Sequence, residues 1–411
     1  MSVVSSAATM WLGDETDHAL VRDLRFSAIE LGDSPVLGQD LRLDLGPGTT
    51  VLVGRNGAGK SAILERIDTA LYNAWSPADS QQPDPGRLAC EVKFSHHDVR
   101  YACTWRTPTT AETSPALADR LPVTFSVEEV CQIIGSKEVL WRLVDGQLTR
   151  NDGTHAEIPR ERTLLSWLLA NHGDFAFNTM AMPLFNLFFS VQSTPPGTPQ
   201  RNRGREALIV PYHGPNRGRS RRKEPTARLE LLLRRLKDWH ERGSEQFAEF
   251  LALGRRTELL RDVQVKIYRD PDQATKTPKD LVSVSVDGVD LGLLSDGTVR
   301  ALELLCALVE PQIKLVLIEE PESAVHPGLL AKLLHEIEAY SSDRQIIMST
   351  HSPQVVSWTR PEALRLVERH DGVTSIRGLA DRTIQQLERY LHDEDTLGAF
   401  IYGGGLDELQ D

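Results

Sequence analysis

The stretch Leu293–Pro327, LLSDGTVRALELLCALVEPQIKLVLIEEPESAVHP, runs from a glycine-bearing turn through a helical pattern into a buried strand. The apolar run KLVLIEE is typical of a central parallel strand covered on both faces, and it ends at Glu319 and Glu320. Two neighbouring carboxylates at a strand end are unfavourable unless a cation lies beside them. Because ligands in open α/β sheets bind at the carboxyl ends of strands, the stretch predicts a cation site there.

A glycine-rich segment near the N-terminus, GRNGAGKS, fits the pattern G-x-x-x-x-G-K-[ST] between an apolar strand and a helix. Its glycines let successive backbone N–H groups point inward as an anion nest, and the following helix adds its positive end. Lys60 is placed to reach the β- and γ-phosphates, and the Ser61 hydroxyl to bind Mg²⁺. The predicted ATP-binding residues are Gly54, Arg55, Asn56, Gly57, Ala58, Gly59, Lys60 and Ser61.

Mg²⁺ on the nucleotide phosphates supplies the cation that the acidic pair requires. We expect Glu319 to bind the metal together with Ser61, directly or through water, and Glu320 to orient or deprotonate the attacking water. A second apolar strand, QIIMS, ends just before His351. A histidine at that position is predicted to donate a hydrogen bond to a γ-phosphate oxygen.

Strand–helix patterns lie at the two ends of the chain, with unlike material between them. We therefore predict an α/β fold, a mixed or parallel sheet with flanking helices, interrupted by an insertion of strands and helices. The predicted divisions are residues 1–85, the first half of the core; 86–280, the insertion; and 281–411, the second half with its tail. Within the insertion, residues 227–261 are predicted to form a long amphipathic helix or a helix pair, broken near Gly243.

Composition limits the class of protein. The formal net charge of −12 argues against a general nucleic-acid coat protein, which would be basic overall. The four cysteines, Cys90, Cys103, Cys131 and Cys306, form no C-x-x-C pair, so we expect reduced thiols in the core. The N-terminus does not look like an export signal and no apolar stretch is long enough to span a bilayer, so we expect a cytoplasmic protein.

Taken together, these motifs resemble those of the ABC-type ATPases. GRNGAGKS is similar to the Walker A motif, LVLIEE to Walker B with the catalytic glutamate second, STHSP to the switch histidine, and LLSDGTVRALELL to the signature motif. The details look most like the soluble branch of SMC/RecF-like and OLD-family ATPases and the ATPases of bacterial anti-phage modules such as Septu and PARIS. The family's glutamine-loop residue is not assigned; Gln192 and Gln200 are the two candidates.

The resemblance implies that Ser295 and Gly297 bind the γ-phosphate of ATP held by a second copy of the chain. Two ATP molecules would then be enclosed in a head-to-tail homodimer, or in a higher oligomer. Ser295 also suits the N-cap of the helix that follows it. Asp296 and Thr298 stand where transporters have glycine and glutamine, and Glu319 stands where the family usually has aspartate.

The spacing of the motifs indicates the branch. Lys60 and Ser295 lie too far apart for an ordinary transporter subunit, and no sustained heptad pattern separates them as in a long-armed chromosome clamp. The residues after His351 are too few for the nuclease domain of OLD proteins. We therefore expect the sensor or motor subunit of an anti-phage defence complex, which gates a separate effector protein, expected to be a nuclease.

The segment 201–223 is rich in arginine and includes Arg217, Arg219, Arg221 and Arg222. It is equally consistent with contacts to the DNA or RNA backbone and with a partner-docking or solvated arm. Two rival functions also stay open: a RecF/SMC-like ATPase of DNA repair or recombination, and an ATP-bound scaffold with negligible turnover.

Overall fold

The computed structural model describes most of the chain outside its termini and several connecting segments. The described residues are 24–34, 37–38, 40–75, 86–94, 98–106, 126–170, 184, 187, 191–194, 227–268, 281–311, 313–323, 325–379 and 384. Several sequence features lie outside them: the adjacent histidines His96 and His97, the candidate Gln200, the arginine-rich segment 201–223, and most of the stretch TIQQLERYL, whose pattern predicts a C-terminal helix.

The strands are β1 Arg25–Gly32, β2 Leu41–Asp44, β3 Thr49–Val53, β4 Gly86–Lys93, β5 Asp98–Arg106, β6 Ser126–Ile133, β7 Val139–Val144, β8 Gln147–Arg150, β9 His155–Glu157, β10 Val191–Thr194, β11 Val263–Tyr268, β12 Leu281–Val286, β13 Val289–Asp290, β14 Leu315–Glu319, β15 Gln345–Thr350, β16 Leu364–His370 and β17 Val373–Gly378. The α-helices are α1 Lys60–Trp75, α2 Leu164–Ala170, α3 Ala227–Arg242, α4 Glu245–Arg256, α5 Asp296–Val309, α6 Pro327–Tyr340 and α7 Pro353–Trp358; short 3₁₀ turns cover Leu291–Leu293 and Pro361–Ala363.

The chain divides into two compact units. Unit 1 comprises Met1–Ser193, Lys314–Leu317 and Ser341–Asp411, and unit 2 comprises Thr194–Ile313 and Ile318–Tyr340. Strand β14 crosses from one unit to the other, because its first three residues belong to unit 1 and its last two to unit 2.

Unit 1 contains an antiparallel sheet of eight strands in the order β2-β1-β4-β5-β6-β7-β8-β9. Burial alternates along its central strands, so that one face packs on the core and the other carries polar side chains. The strands from 86 to 157, which the sequence places in an insertion, thus extend the sheet that begins with β1. The division of the chain into parts at residues 85 and 280 remains a prediction.

A second sheet has the order β10-β14-β15-β3-β16-β17. Strand β3 lies between β15 and β16 and runs parallel to both, whereas β17 is antiparallel to β16. Every residue of β15 is buried, as expected of a central strand covered on both faces. Gln345, at the start of β15, exchanges hydrogen bonds with the backbone of Phe26 and so ties this strand to the eight-stranded sheet.

Unit 2 is built from helices α3 to α6 and the small sheet β11-β12-β13. Helices α3 and α4 are separated at Gly243, whose positive φ of 56° ends the first helix, so the predicted break is confirmed. Arg256 on α4 contacts Glu336 on α6 at 3.1 Å, and the Tyr340 hydroxyl donates to Glu249 at 2.6 Å. These polar contacts fix α4 against α6.

The predicted fold class, α/β with flanking helices, is confirmed. All four cysteines are buried free thiols, as expected, and burial raises the pKa of the Cys306 thiol to about 12. Within the part of the chain that the structure describes, no helix is both long and apolar enough to cross a membrane.

Candidate functional site

The loop at residues 54–59 joins β3 to α1 in unit 1. Helix α1 begins at Lys60, whose side chain is only 4% exposed. The Lys60 ammonium donates to the carbonyl oxygens of Gly54 at 2.8 Å and Arg55 at 3.2 Å. The loop therefore curls around the head of this lysine, and the positive end of α1 opens onto it.

The glycines of this loop are required by its packing. A Cβ at Gly54 would overlap the carbonyl oxygen of Val367 in β16, and one at Gly59 would lie 2.8 Å from the Thr374 hydroxyl in β17. Gly57 and Gly59 also adopt positive φ angles of 79° and 108°. A phosphate chain requires this kind of close, side-chain-free backbone, so the loop fits a nucleotide triphosphate.

The strand that leads to His351 is the neighbour of the strand that leads to the loop. In the parallel pair β15–β3, Thr350 lies opposite Val53, so His351 and Gly54 follow paired positions at the same sheet edge. His351 is half-buried. Unit 1 thus places the predicted phosphate loop and the predicted switch histidine at neighbouring strand ends.

Strand β14 is hydrogen-bonded to β15 in the same sheet, and four of its five residues are buried. Its last residue is Glu319, and Glu320 follows with a φ of 44°, in the left-handed region. Both carboxylates are half-buried. The Ser323 hydroxyl donates to Glu320 Oε2 at 2.8 Å.

Helix α5 of unit 2 begins after Ser295. The Ser295 hydroxyl accepts a hydrogen bond from the backbone N–H of Thr298 at 3.3 Å, which confirms its predicted capping role. Ser295 and Asp296 are exposed, whereas Gly297 is buried. At this helix start the exposed polar groups therefore come from Ser295 and Asp296.

A cleft in unit 2 brings α5 and the acidic strand end together. Its polar lining is Arg300, Glu319, Glu320 and Ser323, and aliphatic side chains and Pro321 complete the wall. The cleft holds two carboxylates, and Arg300 supplies one positive charge to it. This charge lowers the free-energy cost of placing the two carboxylates side by side. Arg300 and Ser323 were not among the residues predicted from the sequence. Arg300 lies in the segment LLSDGTVRALELL, but no local pattern connects it to Glu320.

Each unit therefore holds part of the predicted set. Unit 1 contains residues 54–61 and His351, and unit 2 contains Ser295, Gly297, Glu319 and Glu320. The arginines of 201–223 lie outside the described residues.

Two families match parts of the sequence. Residues 36–134 match a family described as an AAA domain, and residues 200–357 match one described as an AAA domain, putative AbiEii toxin, Type IV TA system. The first match contains the phosphate loop, and the second contains the signature, the acidic strand and His351. These matches confirm the predicted ATPase superfamily.

Several solved structures are similar to the chain. The SMC head bound to the C-winged helix domain of ScpA has 12% identity and a TM-score of 0.41, with 87% of this chain and 98% of that chain covered. The SMC head domain from Thermotoga maritima has 14% identity and a TM-score of 0.41, with 87% and 99% covered. The Smc head domain bound to the C-terminal domain of ScpA derived from Pyrococcus furiosus has 14% identity and a TM-score of 0.41, with 90% and 100% covered. No curated protein matches the sequence.

Proposed function

We propose that this chain, a member of the ABC/SMC-like ATPase superfamily, binds ATP with Mg²⁺ and hydrolyses it to ADP and phosphate. The observation that carries the proposal is the loop at 54–59, which is pressed against β16 and β17, curls around a buried lysine and opens onto the start of α1. This arrangement suits the phosphate chain of a nucleotide.

In the proposed mechanism, each residue predicted from the sequence has one role. The Lys60 ammonium leaves the loop carbonyls to neutralise the β- and γ-phosphates. Ser61 and Glu319 would hold Mg²⁺, which would supply positive charge to the phosphates. Glu320 accepts the proton of the attacking water, and His351 donates a hydrogen bond to the γ-phosphate.

We further propose that Ser295 and Gly297 bind the γ-phosphate held by a second copy of the chain. The exposure of Ser295 at the start of α5 supports this assignment, since a ligand from outside the protomer can reach it. Two such contacts related by a two-fold axis would give a dimer that forms with ATP and loosens after hydrolysis.

Substitution of Lys60 and Glu320 tests the ATPase assignment. Lys60→Ala is expected to weaken ATP binding about 10-fold or more, because a charge-assisted contact to phosphate is lost. Glu320→Gln is expected to retain ATP binding and to lower kcat by about 100-fold or more, because the general base is removed. Nucleotide binding and phosphate release are measured on the same preparations.

Lys93→Ala and Glu338→Gln, at exposed positions outside the proposed site, are the matched controls and are expected to behave as wild type. Wild-type turnover in Glu320→Gln would show that the assignment is wrong. Tight ATP retention with near-zero turnover in the wild-type chain would instead identify an ATP-bound scaffold.

A second, finer proposal concerns biological role: the ATPase acts as sensor or motor of an anti-phage defence complex and gates a separate effector, a nuclease. The description of the family that matches residues 200–357 names a toxin–antitoxin system, in which two components act together, and this supports a role with a separate partner. A RecF-like role in DNA repair is the rival.

Native purification of Glu320→Gln with ATP tests this role. We expect a nuclease to copurify in a fixed ratio, and to be released by Lys60→Ala, because the ATP-bound state is trapped in the first variant and lost in the second. Recovery of the chain alone from both variants would contradict the gating role, and turnover stimulated by gapped DNA would favour repair.

A further inference from the structure

The turn after β14 fixes the backbone on both sides of the proposed general base. The Ser323 N–H donates to the Glu320 carbonyl oxygen at 2.9 Å, which closes a four-residue turn. Pro321 occupies its second position, where the fixed φ of proline favours this kind of turn, and its ring is buried. The position of residue 323 relative to residue 320 is therefore set by the backbone.

Glu320 itself has an unfavourable backbone conformation. Its φ of 44° is in the region that L-residues rarely adopt. Among the described residues, Asp33 and Glu258 also have positive φ, and so do Asp145, Asp287 and Asp371, each of which precedes a glycine in a hairpin turn where short polar residues are tolerated. Glu320 instead follows a buried strand directly, so the strain lies at the proposed catalytic carboxylate.

The side chains of the same turn are also joined. The Ser323 hydroxyl donates to Glu320 Oε2 at 2.8 Å, and both residues line the cleft that also contains Arg300. A hydrogen bond to a charged acceptor is among the stronger ones, so it restricts rotation of the carboxylate.

We propose that Ser323 is the positioning residue for Glu320, an inference that rests on the proposed ATPase function. In the reaction, the oxygen of water bonds to the γ-phosphorus, the bond to the β–γ bridging oxygen breaks, and ADP leaves with that electron pair. The proton of water passes to the carboxylate of Glu320, while Ser323 keeps its own proton and holds Oε2. The strained turn and the hydroxyl together set the direction of the base.

The test compares Ser323→Ala with Ser323→Thr in steady-state ATP hydrolysis. Ser323→Ala is expected to lower kcat about 10-fold, the effect of losing one hydrogen bond to a charged group, with KM for ATP and Tm unchanged. Ser323→Thr retains the hydroxyl and is expected to restore most of the loss. The backbone hydrogen bond of the turn survives in both variants, so a fall in kcat reports the hydroxyl.

Two further variants separate this inference from the function on which it rests. Ser323→Ala in the Glu320→Gln background is expected to cause no additional loss, since residues that act as one unit are not additive. Ser283→Ala, a half-buried serine of β12 in the same unit, is the matched control and is expected to retain wild-type kcat.

Full activity in Ser323→Ala beside an inactive Glu320→Gln would overturn the positioning role and leave the ATPase assignment intact. Equal loss in Ser323→Ala and Ser323→Thr would overturn it as well. Full activity in Glu320→Gln would instead remove the ATPase assignment.

Discussion

Glu129 is a fully buried carboxyl in the core of unit 1, away from the proposed chemistry. Its Oε2 accepts from the Leu164 N–H at 2.7 Å, and its Oε1 accepts from the Trp141 indole N–H at 3.3 Å. It thereby connects β6 to β7 and to the start of α2. Burial raises the pKa of Glu129 to about 7. The two hydrogen bonds lower the pKa, but the effect of burial is larger.

This raised pKa makes the stability of the protein depend on pH. The folded chain keeps the Glu129 proton up to about pH 7, whereas the unfolded chain loses it near the ordinary carboxyl pKa. The Glu129 contribution is therefore complete at low pH and is lost as pH rises through 7, with a total of about 3 kcal/mol. We expect Glu129→Gln to flatten the pH dependence of the free energy of unfolding between pH 5 and 7, measured by urea titration.

Glu128→Gln is the matched control, because the neighbouring carboxylate is exposed and pairs with Arg106 at 3.1 Å. It is expected to keep the wild-type pH profile. The same slope in Glu129→Gln and wild type would show that the buried carboxyl does not titrate in this range.

Among single residues, the sequence predicted those whose role follows from local spacing. The phosphate loop is one such case, because its glycines and Lys60 lie within one turn of chain. The close approach of Thr374 to Gly59 could not be predicted, since it depends on the pairing of β16 with β3, a strand more than three hundred residues earlier, and of β17 with β16. The bond from Ser323 to Glu320 was also missed, because it depends on a positive φ that is unusual for glutamate.

At the scale of elements, periodicity was sufficient for several helices and strands. Helices α3 and α4 were predicted with a break near Gly243, and β14 and β15 were predicted from the apolar runs KLVLIEE and QIIMS.

The order of the strands in the sheets could not be predicted from the sequence. The eight-stranded sheet joins β1 to β4, although β2, β3 and α1 lie between them in the chain. Such pairing is decided by burial of whole faces and by long-range contacts such as that of Gln345 with Phe26, and a single sequence carries no local signal for it.

At the scale of the whole molecule, we propose that Ser61 and Glu319, which are far apart in the sequence, bind the same Mg²⁺–nucleotide group. Strand β14, which ends at Glu319, belongs to the same sheet as β3, the strand before the phosphate loop, and is two places from it. This strand order supports the proposal, since ligands in open α/β sheets bind at strand ends.

The most direct test is a crystal structure of Glu320→Gln with ATP and Mn²⁺ in place of Mg²⁺, with the metal located by its anomalous signal. We expect one ion that is bound by phosphate oxygens and lies about 2.1 Å from the Ser61 hydroxyl, the usual distance for such a ligand. Glu319 should contact the same ion directly or through one of its waters. An ion held by Ser61 and phosphate, with Glu319 contacting neither it nor its waters, would contradict the claim.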